Sequence, residues 1–320
     1  MLSLGLDTSC YTTSAALCFQ DASPVQFRRL LPVPKGERGL RQSEAVFAHV
    51  RQIDSVLLPL LDAAPEPISC VCASVSPRDG EDSYMPVFQV GASQGKALAA
   101  ALRVPFYATT HQRGHICAAK YGTGLEKDTF LALHLSGGTT DVLYMEGERL
   151  EPLGASMDLH AGQLVDRIGV KLGLPFPAGP YLEALARQGT NGNRVPVSMD
   201  KGGLNCHLSG AESQLLRLIE TGEKKENVAA EVYGALCRTV LRLLAGAAEK
   251  TGVNDALIAG GVASSQLLRD MLLERNEKRR LGLRLYFGRP EFSGDNAVGA
   301  ALIGLQRLIK ETSHGGIDGR

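Results

Sequence analysis

Apolar residues recur at two different spacings along this chain, and the alternation between them lays out the fold. "LSLGLDTS" and "SAALCFQ" near the start predict two strands joined by a tight polar turn. "GLRQSEAVFAHVRQIDSVLLPLLDAA" then places Val46, Val50, Ile53, Val56, Leu57, Leu60 and Leu61 at helical spacing, so a long amphipathic helix is expected. "ISCVCASVS" reads as a strand and "VFQVGASQGKALAAALR" as a helix. "VPFYATT" is a short strand leading into "HQRGH".

The plan begins again at "TFLALHLSGGTTDVLYMEGERLEPLG", where two strands flank a Gly-Gly turn. A helix "HAGQLVDRIGVKLGL" follows, closed by "PFPAGP", and residues 190–206 form a Gly/Asn-rich loop region. "SGAESQLLRLIETG" and "NVAAEVYGALCRTVLRLLAGAAEKTG" are helices, and "DALIAGGVASSQLLRDMLLERNEKRR" is strand, glycine turn and helix. "LRLYFGRP" is a strand, "SGDNAVGAALIGLQRLIK" a final helix, and "ETSHGGIDGR" a frayed tail. A hairpin-then-helix plan occurring twice implies internal duplication, hence two lobes with a cleft between them.

Composition narrows this picture. The chain has 320 residues, long for one core, and 36 Gly against 15 Pro suit an α/β protein with many strand-to-helix turns. Charges balance at 34 basic and 34 acidic, so a nucleic-acid partner would need a local patch or another subunit. Seven cysteines without a CxxC pair fit reduced thiols in a cytoplasmic protein. The opening "MLSLGLDTSCYTTSAALCF" has no basic leader and is broken by Asp7, and no run approaches a membrane span, so no membrane association is expected.

Three turns carry candidate chemistry: "DTSCYTTS" with Asp7 and Ser9, "LSGGTTD", and "IAGGVASS" with Gly260, Gly261 and Ser265. Backbone N–H groups in such turns and at helix N-termini form cradles for phosphate, although one Gly-Gly turn alone is commonplace. His111 and His115 lie four apart, so both imidazoles can reach one cation from one helix face, or both are solvated helix residues. Asp295 in "SGDNAVGA" is the best third ligand, or a plain N-cap of the last helix. Asp7 is placed to approach the phosphates or their metal. Asp166 is open between a surface charge and a ribose contact. Two basic runs, "FRRLLPVPKGERGLR" and "ERNEKRRLGLR", either meet a phosphate backbone or are solvated faces.

In order, "GLDTSCYTTSAAL", "HQRGH", "LSGGTT", "AGQLVDRIGVKLGLPFPAGP", "LSGAES", "IAGGVASS" and "SGDNAVGAAL" resemble the tRNA threonylcarbamoyladenosine synthase family, once called glycoproteases, over residues 3 to about 305. The resemblance implies a bilobal α/β fold of the actin, sugar kinase and Hsp70 kind, with duplicated mixed-sheet lobes and an interlobe cleft. The division expected is 1–110 plus about 298–320 against 111–297, the last helix returning to the N-terminal lobe. The implied activity is transfer of threonylcarbamoyl from its adenylate to N6 of an adenosine in tRNA, assisted by one divalent metal. His111, His115 and Asp295 match the metal ligands. Leu135, Ser136, Gly137, Gly138 and Thr139 match the nucleotide turn, Asp166 the ribose contact and Gly179 its neighbour. Iron, zinc and manganese suit such a donor set alike. Implied partners are an adenine nucleotide or threonylcarbamoyl-adenylate, tRNA, and protein subunits of the same machinery or a second copy.

The chain departs from the family pattern where acids and bases stand. The acidic pair after the first cysteine is here Tyr11 and Thr12, and the acid between the histidines is Arg113. Thr139 replaces a histidine, Glu212 a basic residue, Ser265 an asparagine, and "SPRDGEDSYMP" stands for a glycine-rich loop. Losing the acids removes groups that orient or deprotonate an attacking amine. A cationic Arg113 beside a metal weakens it unless the side chain turns away or pairs with an anion. A diverged paralogue that binds adenine nucleotide as a silent partner or regulator is therefore the alternative. A metalloprotease lacks the glutamate base such a site requires.

Overall fold

The computed structural model describes residues 1–9, 11–33, 40–80, 82–192 and 194–314. Cys10, part of the basic run around Lys35 and Arg38, Glu81, Asn193 and most of the expected frayed tail lie outside the described residues. In chain order the elements begin with β1 (Leu2–Thr8), β2 (Thr12–Phe19), β3 (Val25–Leu30), α1 (Gln42–Asp62), β4 (Cys70–Ser76), α2 (Phe88–Leu102), β5 (Phe106–Thr110) and α3 (His111–Lys120). Then follow β6 (Thr129–Leu135), β7 (Thr140–Glu146), β8 (Arg149–Ala155), α4 (Ala161–Lys171), α5 (Gly179–Ala186), β9 (Ser198–Met199), β10 (Cys206–His207), α6 (Ser209–Glu220) and α7 (Lys225–Thr251). The chain continues through β11 (Asp255–Ala259), α8 (Gln266–Arg279), β12 (Arg284–Phe287) and α9 (Val298–His314).

These elements form two units, Met1–Ala118 with the segment from Gly294 onward, and Ala119–Ser293. Each holds a five-stranded mixed sheet, ordered β3-β2-β1-β4-β5 in the first and β12-β11-β6-β7-β8 in the second. Read from the far end, the second order is the first: an antiparallel three-strand meander whose opening strand pairs in parallel with a later one, which carries a fifth. The repeat expected from the sequence is thus a repeat of sheet topology.

In the first unit every residue of β1 is buried, as expected of a strand covered on both faces. Leu2, Leu4 and Leu6 pack with Val56, Leu57 and Leu60 of α1 and with Ala99 of α2. The opposite face meets α9, where Cys70, Cys72 and Tyr107 join Ala300 and Leu308. A Cβ on Gly5 would sit 2.4 Å from Ala297 O, so the sheet and α9 meet backbone to backbone there. The last helix therefore belongs to the first unit. The sequence reading set the lobe edges at 110/111 and 297/298, whereas α3 as far as Ala118 and residues 294–297 cluster with the first unit. The cause is packing: a Cβ on Gly299 would lie 1.8 Å from Gly114 O, so α3 is pressed against α9.

Five elements were not legible as periodic patterns; two of them, β9 and β10, are two-residue strands that pair with each other in the stretch expected to be loop. Strand β3 is an edge with exposed Arg28, Arg29 and Leu30, and it forms because β2 offers its backbone partners. Strand β8 extends the second meander, and α5 follows "PFPA" where the sequence suggested only closure.

Candidate functional site

In the first unit β5 runs directly into α3, so His111 opens the helix and His115 follows one turn later on the same face. Their rings meet edge to face with centroids 4.3 Å apart. The two Nε2 atoms are 3.0 Å from each other, and Asp295 Oδ1 lies 3.5 Å from the first and 3.3 Å from the second. Two ring nitrogens come this close when they share a proton or a cation.

His111 and Asp295 are each held from behind. His111 Nδ1 lies 2.9 Å from Asp7 Oδ2, and a carboxylate only accepts, so Nδ1 carries a proton; when the ring is neutral, as a metal ligand must be, the Nε2 lone pair is the one left to face His115 and Asp295. Asp295 Oδ2 accepts from Ser9 Oγ at 2.9 Å and Thr12 Oγ1 at 3.3 Å. Burial disfavours charge on His111, but Asp7 and Asp295 outweigh it and push its pKa up to about 10. Burial likewise opposes charge on Asp295, yet the two imidazoles hold it far below the carboxylate range. The cluster is therefore built to retain positive charge.

The N-cap reading of Asp295 is corrected. Helix α9 begins three residues later, at Val298, whose N–H is taken by Asn296 Oδ1, which leaves the Asp295 carboxylate to the histidines. Asp7 was expected at the phosphates or their metal. Its Oδ2 orients His111, while its buried Oδ1 has no hydrogen-bond partner among the described residues. His49 and Gln52 were missed. His49 is buried, with Nδ1 2.7 Å from Thr13 Oγ1 and Nε2 2.8 Å from Ser9 O, while Gln52 donates to Thr13 Oγ1 at 2.6 Å. Two polar residues on the core face of α1 were the available signal. They fix the loop that carries Ser9.

Arg113, the cation between the histidines, does not crowd them. Its Nε lies 2.8 and 3.1 Å from the two Asp79 oxygens and its guanidinium completes a bidentate pair. Thr12 is buried against Asp295, and Tyr11 is exposed.

The second unit holds a cavity of about 350 Å³, lined by Gly137, Asp166, Gly179, Gly261 and Ser265 among others. The turn between β6 and β7 is closed by Ser136 N–H on Thr139 O at 2.8 Å. Helix α4 starts against it: Gly162 N–H reaches Ser136 O at 3.0 Å, and a Cβ on Gly162 would be 2.7 Å from Gly137 Cα. Only glycine permits that approach, which aims the α4 N-terminus at the turn. Gly260, at φ +100°, sits where a Cβ would strike Leu135 O at 2.3 Å. Leu135, Ser136, Gly138, Thr139 and Gly260 thus frame the cavity rather than line it.

Asp166 is half-buried and not a free surface charge, since one oxygen accepts from Ala178 N–H at 2.8 Å. Ser265 caps α8 by accepting from Leu268 N–H. Gly162, Glu183 and Tyr233 also line the cavity and were not foreseen; Tyr233 donates to Gly179 O at 3.2 Å.

A family model described as TsaD, tRNA N6-adenosine threonylcarbamoyltransferase, matches residues 43–302. The chain belongs to this family. A relative from Methanopyrus kandleri named tRNA N6-adenosine threonylcarbamoyltransferase is 29% identical over 311 residues, 95% of this chain and 87% of the relative. A Thermoplasma acidophilum protein named a probable bifunctional tRNA threonylcarbamoyladenosine biosynthesis protein is 28% identical, and the match takes 98% of this chain but 59% of that one. Among solved structures, HypF from T. kodakarensis gives a TM-score of 0.61 at 17% identity, over 97% of this chain and 48% of that one. A ROK family glucokinase from Streptomyces griseus, in complex with glucose and AMPPNP, gives 0.56 at 14% identity, over 96% and 100%. At such identities the likeness speaks for the fold, and the TsaD-family chain has the actin-like α/β fold of the sugar kinases.

Proposed function

We propose that this TsaD-family chain transfers a threonylcarbamoyl group from its adenylate to N6 of an adenosine in tRNA. The observation that carries the reading is the meeting of His111 Nε2, His115 Nε2 and an Asp295 oxygen at one point. Two imidazoles and a carboxylate, backed by an orphaned buried oxygen of Asp7, suit one divalent cation, whether iron, zinc or manganese. Bound there, such an ion supplies polarisation of a carbonyl or phosphate oxygen of the adenylate.

The chain's own residues do the rest. Asp7 fixes the His111 tautomer and ring plane, and Ser9 and Thr12 hold the Asp295 carboxylate in place. In the second unit, the turn at 136–139 and the α4 N-terminus offer N–H groups to phosphate, and Asp166 and Gly179 line a cavity suited to the nucleoside. Purified protein given threonylcarbamoyl-adenylate and unmodified tRNA is expected to yield modified adenosine by nucleoside mass spectrometry. Absence of product with adenine nucleotide still bound contradicts the transfer reading.

That outcome would favour a second reading, a nucleotide-binding paralogue acting as a partner or regulator. Two observations support it: the Thr12 hydroxyl spends its proton on Asp295, and Arg113 is locked to Asp79. Neither group offers the acid–base capacity of a carboxylate.

A further inference from the structure

Helix α1 buries Ala45, Ile53, Val56, Leu57 and Leu60, and among them it also buries His49 and Gln52. A buried polar group left without a partner is costly, so the partners of these two decide why they stand on a core face. Gln52 Nε2 lies 3.1 Å from the Arg29 carbonyl oxygen and 2.6 Å from Thr13 Oγ1. His49 Nδ1 is 2.7 Å from the same hydroxyl, and its Nε2 is 2.8 Å from the Ser9 carbonyl oxygen. The two carbonyls at the ends of this chain of contacts only accept, which orders the protons between them. Gln52 gives one N–H to Arg29 O and the other to Thr13 Oγ1. His49 must give its Nε2 proton to Ser9 O, and burial keeps the ring neutral by holding its pKa below the ordinary histidine value, with the Ser9 carbonyl and Asp7 opposing. Nδ1 of a neutral ring then accepts the Thr13 proton, and four donors meet four acceptors.

The relay ends on the turn between β1 and β2, where support for the histidine cluster begins. Ser9 Oγ donates to Asp295 Oδ2 at 2.9 Å, and Asp295 Oδ1 lies 3.3 Å from His115 Nε2. Ser9 is thus gripped at its carbonyl by His49 while its hydroxyl grips the carboxylate. The far side of the turn has an anchor of its own, Leu31 N–H on Tyr11 O at 2.8 Å. Loss of the His49 bond therefore loosens Ser9 while the β1–β2 pairing and the Tyr11 anchor remain. Hydrogen-bonded support behind a ligand fixes the direction of its lone pairs, and with it the affinity of the site.

We propose that His49 is a positioning residue for the cation site, setting the Asp295 carboxylate through Ser9. The proposal rests on the reading of His111, His115 and Asp295 as cation ligands. The test is zinc affinity of the intact protein by competition with a chromogenic chelator, with far-ultraviolet circular dichroism to show that each variant is folded. His49→Leu keeps the bulk and removes both nitrogens, and it is expected to weaken zinc binding about tenfold. His49→Gln keeps an N–H long enough to reach Ser9 O and is expected to recover most of that loss. Ser9→Ala removes the hydroxyl on Asp295, so adding His49→Leu to it should weaken binding little further, because both act along one line. A packing role alone makes the two losses add and leaves the glutamine variant no better than the leucine one. In zinc-free wild type, long-range proton–nitrogen correlation spectra are expected to show His49 neutral with its proton on Nε2. Wild-type affinity in folded His49→Leu, additive losses, no recovery in His49→Gln, or a His49 proton on Nδ1 would each overturn the proposal alone. Wild-type protein that binds no zinc would overturn the cation site together with it.

Discussion

At the residue scale the account turns on the direction of side chains rather than on their presence. The i, i+4 histidine spacing was visible in the sequence, but Asp295 was equally readable as a helix cap, and nothing in one dimension placed it 3.3 Å from His115. Arg113 shows the same limit, since its threat to a bound cation depends on where the guanidinium goes, and Asp79 settles that. Asp7 is the residue whose role most exceeds its sequence signal. Asp7→Asn replaces an obligate acceptor with an amide and loosens the His111 ring, so metal affinity is expected to fall by about 10- to 100-fold, measured by competition with a chromogenic chelator. The His111 pKa carries a pH signature. In metal-free protein, charge on this ring stabilises the fold fully below its unfolded value of about 6.5, and the contribution fades as pH rises toward about 10. The melting temperature of chelator-treated protein is therefore expected to drop across that interval. The drop should be smaller in Asp7→Asn, and an equal drop in both contradicts the assignment.

At the element scale, close backbone approaches place the functional loops. The contact of α3 with α9 through Gly114 and Gly299 leaves no space for a methyl group. Gly299→Ala is expected to destabilise the fold by about 2 kcal/mol and to lower metal content, read by calorimetry and metal analysis of the same sample. Gly162→Ala should disturb the turn at 136–139 in the same way and weaken adenine nucleotide binding while metal content stays unchanged. The long amphipathic helix and the central strands were legible because two-sided burial leaves a strong apolar signature. Strand β3 was not, because an edge strand takes half its definition from the neighbour's backbone and reads "VQFRRL" as a basic run. Strand β12 illustrates a polar lock beyond sequence reading. Arg284 holds buried Asp255 far below the carboxylate range, with Lys127 and Tyr286 adding to it and burial opposing. The stabilisation is present above the ordinary carboxylate value and is lost only in strong acid. Asp255→Asn is expected to cost about 2 kcal/mol in urea unfolding, without change in metal content.

At the scale of the whole molecule, the duplicated plan read from hairpins and helices corresponds to two sheets of one topology. The candidate sites are divided between them: the histidine cluster with Asp295 lies within the first unit, and the glycine-framed cavity within the second. What periodicity could not supply was the allegiance of α3 and of residues 294–297, because unit membership follows contacts between segments nearly two hundred residues apart in sequence. Elemental analysis by plasma mass spectrometry, on protein purified without chelator, tests the central claim most directly. One divalent ion per chain is expected in the wild type, falling below a tenth of that in His111→Ala, His115→Ala and Asp295→Asn alike. An undiminished stoichiometric metal content in all three variants would contradict the account.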